Sequence, residues 1–245
     1  LTPSNVNDVK PWLQYYPEWT AHSLEYGEKT LGELYQENLS KNVSRIATRF
    51  FGRTQTFGEL DREVRRAAAG LKAFGVRPGD RVAIMLPNCP QHVAAFFAVQ
   101  MIGGVVVEHN PLYTAHELRP QFIDHGARVA IAWDKAADTL EKLRADTPLE
   151  TVVSVNMTKA MPRAQQLALR IPLPKILETR AALTGPSKHT VPWEVLTSSA
   201  IGGFGGPLTD AQHIIEAAAP FGVPARLTRR APSGQAFVQI SAQLA

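Results

Sequence analysis

Two histidines, His109 and His116, stand seven residues apart around the loop Asn110-Pro111-Leu112-Tyr113-Thr114, with Glu108 and Glu117 beside them. Imidazole and carboxylate are ordinary ligands of a divalent metal, but a metal centre needs them to converge. The plainer reading is a polar strand exit followed by the first turn of a helix. Parallel sheets carry functional loops at the carboxyl ends of their strands, so Glu108 to Tyr113 is the first place to look for a ligand. The single cysteine, Cys89, lies in Pro87-Asn88-Cys89-Pro90 with no cation beside it in sequence, and reads as an inert small residue. One cysteine excludes an internal disulfide framework and a cysteine-based zinc site. His92 reads as a surface residue.

Other familiar chemistry is missing from the order of residues. No Gly-x-x-x-x-Gly-Lys-Ser/Thr loop exists, so a P-loop nucleotide site is excluded. The exit Leu86-Pro87-Asn88 lacks glycine, which argues against an NAD-type oxidoreductase built on a dinucleotide fingerprint. The glycines at 202, 203, 205 and 206 have no preceding strand to aim backbone amides at a phosphate. Neither His-Glu-x-x-His nor Gly-x-Ser-x-Gly occurs.

Gly75 to Thr114 reads as strand, helix, strand. A turn at Arg77-Pro78-Gly79-Asp80 leads to Val82–Leu86. Pro90 opens a helix to Ile102 that is apolar nearly all round, so both of its faces should be covered. Val105–Val107 is the second strand. Such a βαβ unit makes parallel neighbours with a right-handed crossover. Thr30/Glu33, Thr56/Glu59 and Thr114/Glu117 each have the spacing of a capping box, starting helices at Leu31, Phe57 and Ala115. In the second of these, Leu60, Val64, Ala67, Ala68, Leu71 and Phe74 share one face. Asp61, Arg62, Glu63, Arg65, Arg66 and Lys72 form an outward face that reads as solvated. Residues 45–57 suggest a hairpin around Gly52-Arg53. Further strands are expected at Arg128–Ala132 and Thr151–Val155, with a helix from Ala136 to Ala145 between them. Pro120 should kink the helix ending at His125. Alternation at this spacing predicts an α/β domain with a parallel sheet.

The flanks are less regular. Residues 1–29 carry Trp12, Tyr15, Tyr16, Trp19 and Tyr26 and should lay their rings across the domain surface. Trp193 to Ile201 reads as one short helix. The chain has a net charge of +4, but residues 1–155 hold 17 Lys+Arg against 18 Asp+Glu. The excess is local: Lys159, Arg163, Arg170, Lys175, Arg180 and Lys188 stand against Glu178 alone in 156–189. Nucleic acid is therefore not an expected partner. That basic segment, with Leu167, Leu169, Ile171, Leu173, Ile176 and Leu177, reads as a membrane-surface contact or as a short helix and connector broken by Pro172 and Pro174. No run of about 18 apolar residues exists to span a membrane. The cytoplasm is the default compartment, with peripheral membrane contact through 156–189.

Several runs together resemble one family. They are Thr56-Phe57-Gly58-Glu59-Leu60, Gly75-Val76-Arg77-Pro78-Gly79-Asp80-Arg81-Val82-Ala83 and Leu86-Pro87-Asn88. Asn110-Pro111-Leu112-Tyr113-Thr114 with Glu117-Leu118, then Gly126-Ala127-Arg128, complete the set. In this order the chain resembles the N-terminal half of an adenylate-forming (AMP-dependent) acyl-CoA synthetase, a superfamily that also holds luciferases and aryl-CoA ligases. Pro11-Trp12-Leu13, Tyr16-Pro17 and Leu31-Gly32-Glu33-Leu34 resemble its long-chain fatty-acid branch in particular. The resemblance implies a fatty acid, ATP, Mg²⁺ and coenzyme A as the full enzyme's substrates and cofactors. Acyl-adenylate and pyrophosphate form first, and the acyl group then passes to the thiol of coenzyme A. The family's Ser/Thr-rich ATP loop and its C-terminal catalytic lysine have no counterpart here. Hence no catalytic, cofactor-binding or metal residue is carried over, and none of these cofactors is expected to bind productively to this chain.

The resulting expectation is a truncated α/β parallel-sheet subdomain. Residues 1–54 are its lead-in and hairpin, 55–155 its sheet, 156–206 a basic connector, and 207–245 a divergent tail that is disordered or out of frame. The competing readings are another acyl- or aryl-CoA ligase of the same superfamily, and a non-catalytic membrane-surface or regulatory fragment.

Overall fold

The computed structural model describes residues 10–24, 27–198, 225–229 and 236–240. Helix α1 (Leu31–Asn42) leads into a hairpin of β1 (Ile46–Phe50) and β2 (Arg53–Thr56), which pair antiparallel. There follow α2 (Phe57–Ala73), β3 (Arg81–Met85), α3 (Pro90–Met101), β4 (Val105–Glu108), α4 (Ala115–His125), β5 (Val129–Trp133), α5 (Asp134–Glu141) and β6 (Thr151–Val155). Helices α6 (Arg163–Ala168) and α7 (Pro174–Leu183) precede a two-residue strand β7 (Val191–Pro192) and the short α8 (Trp193–Leu196). Among the described residues, five strands form one parallel sheet in the order β4-β3-β5-β6-β7.

Period-2 alternation explains how that sheet is covered on both sides. Val82, Ile84, Val129, Ile131, Val153 and Val155 face a cluster completed by α2, α3 and α8. Ala83, Met85, Ala130, Ala132 and Val152 face the other way, toward Leu118 and Phe122 of α4 and Leu140 of α5. The alanines let α4 and α5 approach closely, so their own large side chains fill the space. Gly70 of α2 has the tightest contact on the first side: a Cβ there would meet Leu196 O at 2.1 Å.

Three helix starts follow the sequence spacing. Thr30, Thr56 and Thr114 each accept from the N3 backbone while Glu33, Glu59 and Glu117 reach back to the cap N–H. Hydrogen bonds from the threonines hold all three glutamates below the usual carboxylate range. Gly126 ends α4 at φ 66°, the left-handed stop that glycine adopts without Cβ strain.

Several expectations need correction. Asp61 is buried and bonded to Arg65, and Glu63 accepts from Gln55 and from Trp193, so these two acids are not on a solvated face. The hairpin and α8 cover Glu63 and α1 lies beside Asp61, which helix periodicity alone does not register. Helix α3 is fully covered only on its sheet side. Its outer residues Val93, Phe96, Phe97 and Met101 are half-buried, because only α1 and the hairpin reach them. Tyr35 stacks on Phe97 at 4.2 Å, and an apolar cleft of about 520 Å³ opens beside Phe96 and Phe97. The aromatic lead-in does not lay its rings down. Pro11–Tyr15 is a 3-10 turn with no buried residue, and Trp19 is 86% exposed. The helix between β5 and β6 begins at Asp134, two residues early, and turns 3-10 over Lys142–Ala145. Helix α4 runs continuously through Pro120. Strand β7 and the helices of 163–183 give the connector more order than its prolines suggest. In the tail, Ala225–Arg229 (β8) and Ala236–Ile240 (β9) pair antiparallel, and the other residues of 207–245 lie outside the described ones. The glycine-rich break at 202–206 lies outside the described residues.

Candidate functional site

Between β3 and β5 the crossovers diverge along the sheet, from β3 toward β4 and from β5 toward β6. After β3 the chain leaves to α3 on one face, and after β5 it leaves to α5 on the other. In open α/β sheets the crevice between two such strands, at their carboxyl ends, is the default ligand position. Here it is walled by Leu86–Pro90 from β3 and by Trp133-Asp134 from β5, with Asn156 at the end of β6 close by.

The residues on this edge are mostly tied to one another. Asn156 Oδ1 accepts from Thr158 N (3.0 Å) and Thr158 Oγ1 (2.6 Å), while its carbonyl receives Gln91 Nε2 at 3.5 Å. Trp133 Nε1 donates to Leu183 O at 3.0 Å, and Thr184 Oγ1 donates to Asp134, so the end of α7 is moored on the exit of β5. Burial pushes the Asp134 carboxyl above its usual range, partly offset by the Thr184 hydrogen bond. Cys89 is buried, which pushes its thiol up to about 11 and leaves almost no thiolate at neutral pH.

The loop singled out from the sequence splits into separate roles. Glu108 takes His92 Nε2 at 3.0 Å, and that hydrogen bond raises the His92 pKa against an opposing burial effect. Asn110 Oδ1 accepts from Leu112 N at 3.0 Å and shapes the turn. Glu117 is occupied in its capping box and His116 is exposed. Among the described residues no group of three or more His, Cys, Asp or Glu converges, so Glu108, His109, His116 and Glu117 do not form a metal set.

His109 instead turns inward, stacks on Phe122 at 5.1 Å and meets His125 Nε2 through its own Nε2 at 3.1 Å. Its Nδ1 lies 3.0 Å from Gln121 Oε1, and His125 Nδ1 accepts from Ala127 N at 3.0 Å. Those partners assign the tautomers. His125 Nδ1 is an acceptor, so its proton is on Nε2 and is donated to His109 Nε2; His109 Nδ1–H then donates to Gln121. Both rings are neutral donors and acceptors in one directed chain. Burial lowers His109, and burial plus the neighbouring His109 lower His125 to about 4, with Asp124 opposing and Arg81 adding to the shift. Glu108 pulls weakly the other way on His109. The unfolded chain protonates near the ordinary 6.5, above the folded value, so this contribution to stability is complete above pH 6.5 and is lost as pH falls toward 4. The raised His92 works with opposite sign: its contribution is complete below 6.5 and is lost as pH rises through its folded value. We expect histidine nitrogen NMR to find His125 as the Nε2–H tautomer at pH 7 with a midpoint of about 4. A midpoint near 6.5 would refute the chain of bonds.

Sequence reading missed His125, Gln121, Gln91 and Asp134. Gln121 and His125 are four apart on a helix and so share a face, which was a usable signal. Their meeting with His109 depends on how α4 packs over the sheet.

Against known proteins, residues 35–189 match the AMP-binding enzyme family, which covers more than half of the chain. The chain belongs to that family. Over 157 residues this AMP-binding chain is 35% identical to the long-chain-fatty-acid–CoA ligase of Bacillus subtilis, covering 64% of this chain and 28% of the relative. It is 35% identical over 150 residues to the ligase of the same name from Salmonella typhimurium, covering 60% and 27%. Rice 4-coumarate–CoA ligase 2 is 34% identical over 120 residues, covering 45% and 21%. Among solved structures, the anthranilate CoA ligase AuaEII in complex with anthranoyl-AMP superposes with TM-score 0.54 at 20% identity, over 68% of this chain and 27% of that one. Mycobacterium smegmatis MbtA gives TM-score 0.50 at 29% identity, over 52% and 24%. The matched part thus spans little more than a quarter of the length of the first two ligases. The AMP-binding match takes in β3 to β6 whole and stops just short of β7.

The edge residues of this AMP-binding chain do not by themselves fit a triphosphate. The β3 exit carries no glycine, α3 opens on Pro90 with no N–H to offer, and among the described residues no carboxylate cluster stands ready for a divalent ion. No step through ATP is derived from them.

Proposed function

We propose that this chain supplies the first parallel sheet of a long-chain fatty-acid–CoA ligase. In that reading a larger protein uses ATP, with Mg²⁺, to convert a fatty acid to its acyl-adenylate, then transfers the acyl group to coenzyme A. The observation that carries it is the 35% identity over 157 residues to a long-chain-fatty-acid–CoA ligase, within a family match covering 35–189. The sheet's part is to hold the β3 and β5 exits in register, and the reacting groups come from elsewhere in the enzyme. Peripheral membrane contact belongs to the same reading. Leu167, Ile171, Leu173 and Leu177 are exposed on 163–183 among Arg163, Arg170, Lys175 and Arg180, a composition suited to an anionic bilayer surface. No helix among the described residues is long and apolar enough to cross a membrane.

The test is a chimera in which residues 35–189 replace the matching segment of the Bacillus subtilis ligase. Fatty-acid-dependent ATP–pyrophosphate exchange followed by acyl-CoA formation is the expected result. A folded, monodisperse chimera that exchanges pyrophosphate with an aryl acid but not with a long-chain fatty acid, or with neither, would overturn the proposal. The purified chain alone should form no acyl-CoA.

A further inference from the structure

A second cavity, of about 630 Å³, borders the crevice at Pro90 and lies between the β1–β2 hairpin, α2, the start of α3, and the segment 159–197. Its lining is polar and its charges do not balance. Arg53, Arg66, Lys159 and Arg163 contribute four cations against two carboxylates, Glu63 and Glu194. Both acids are already engaged. Glu63 accepts from Gln55 Nε2 and Trp193 Nε1, each at 2.9 Å, and Glu194 pairs with Lys159 at 3.2 Å. Arg53 donates to the Lys159 carbonyl at 3.4 Å, while Arg66 and Arg163 make no ion pair among the described residues. The remaining charge is therefore that of a dianion's complement, presented largely as guanidinium forks.

One further group points to a ligand. Gln91 lines the same cavity at 5% exposure, and its Nε2 is spent on the Asn156 carbonyl. Its Oε1 is buried with no hydrogen-bond partner among the described residues. A buried amide oxygen left without a donor costs about 1–3 kcal/mol, so it marks a place where a donor is expected.

We propose that this cavity binds a small phosphate monoester that carries a hydroxyl group. A phosphate monoester brings a charge of about −1.5 to −2 and oxygens that suit arginine forks. The hydroxyl supplies the donor that Gln91 Oε1 lacks. The cavity adjoins the crevice at Pro90, but its cations Arg53, Arg66, Lys159 and Arg163 lie outside the crevice walls, so binding here is tested separately from the ligase reading.

The test titrates the purified 245-residue chain with glycerol 3-phosphate and with inorganic phosphate, followed by calorimetry and by the Gln91 side-chain amide signal in NMR. Glycerol 3-phosphate should bind more tightly than inorganic phosphate and shift the Gln91 amide. Arg66→Ala and Arg163→Ala, both at exposed positions, should each weaken it about tenfold or more. Gln91→Leu should bring the ester down to the level of inorganic phosphate; the NMR signal in the unaltered chain covers the case in which that variant does not fold. Vesicles of phosphatidylcholine with phosphatidylinositol 4-phosphate, a phosphate monoester whose headgroup carries free hydroxyls, form a second arm. Pelleting that Arg66→Ala abolishes would place the ester on a lipid headgroup and support the site. No saturable binding of either ester form, or binding that Arg66→Ala leaves unchanged, would overturn it.

Discussion

Gly70→Ala should destabilise the chain by about 3 kcal/mol, at the upper end of what overpacking costs. Propensity alone points the other way, since alanine favours a helix interior by ~1 kcal/mol over glycine. The decisive fact is distance. The new Cβ would lie 2.1 Å from the Leu196 carbonyl oxygen and 2.8 Å from Leu196 Cδ1. A backbone oxygen cannot swing aside as a side-chain tip can, so α8 must move off α2. Val195 and Leu196, both fully buried, would lose their contacts, and with them the wall that includes Trp193 and Glu63. The loss should read as a fall of about 6–12 °C in Tm, with a matching fall in the denaturant midpoint. Ala69→Gly, one residue earlier, should cost only about 1 kcal/mol. Equal stability of Gly70→Ala and the parent chain would mean that α8 does not pack on α2 as described.

Phe122→Ala should cost about 4 kcal/mol, the usual range for emptying a fully buried aromatic site. Phe122 is 0% exposed and packs in the cluster beneath α4, where the alanines of β3 and β5 leave it room. It is also the ring against which His109 stacks and which His125 meets edge-on at 4.7 Å. Its removal should therefore have a second, separate readout. Water reaching the two imidazoles relieves the burial that holds their pKa values down, so the His125 midpoint should climb from about 4 toward 6.5. The stability loss that accompanies acidification should shrink in parallel. A variant that loses stability but keeps the low His125 midpoint would show that Phe122 supports the core without shielding the histidines.

What could be read directly from residue order was local. The capping boxes at Thr30, Thr56 and Thr114 are contacts across three residues, and each forms as spaced. Strands β3, β5 and β6 are apolar on both faces because both faces are covered, and that pattern also survives in the sequence. The misreadings share a cause of another kind. Asp61 and Glu63 sit at polar positions of a helical repeat, yet Asp61 is buried beside Tyr35 of α1, and the hairpin and α8 arrive over Glu63 from 8 and 130 residues away. The outer face of α3 reads as core because its residues are apolar, but α1 and the hairpin cover it only in part. Strand β7 is two residues long and carries a proline, too little pattern to detect. The site behaved likewise. The loop after β4 was legible as a strand exit, whereas the pairing of His109 with His125 depends on the packing of α4, which no spacing rule reports.

The two borders of the sheet are chemically unlike. β4 ends one side with Val105, Val106 and Val107, and among the described residues no strand pairs with its outer edge. On the other side β7 offers only Val191 and Pro192, and the imide nitrogen of Pro192 cannot donate to a further ladder. Extension of this sheet by another strand is consequently one-directional. Any added strand, from this chain or from a neighbouring molecule, docks beside β4, and two copies meeting there would do so across a twofold axis.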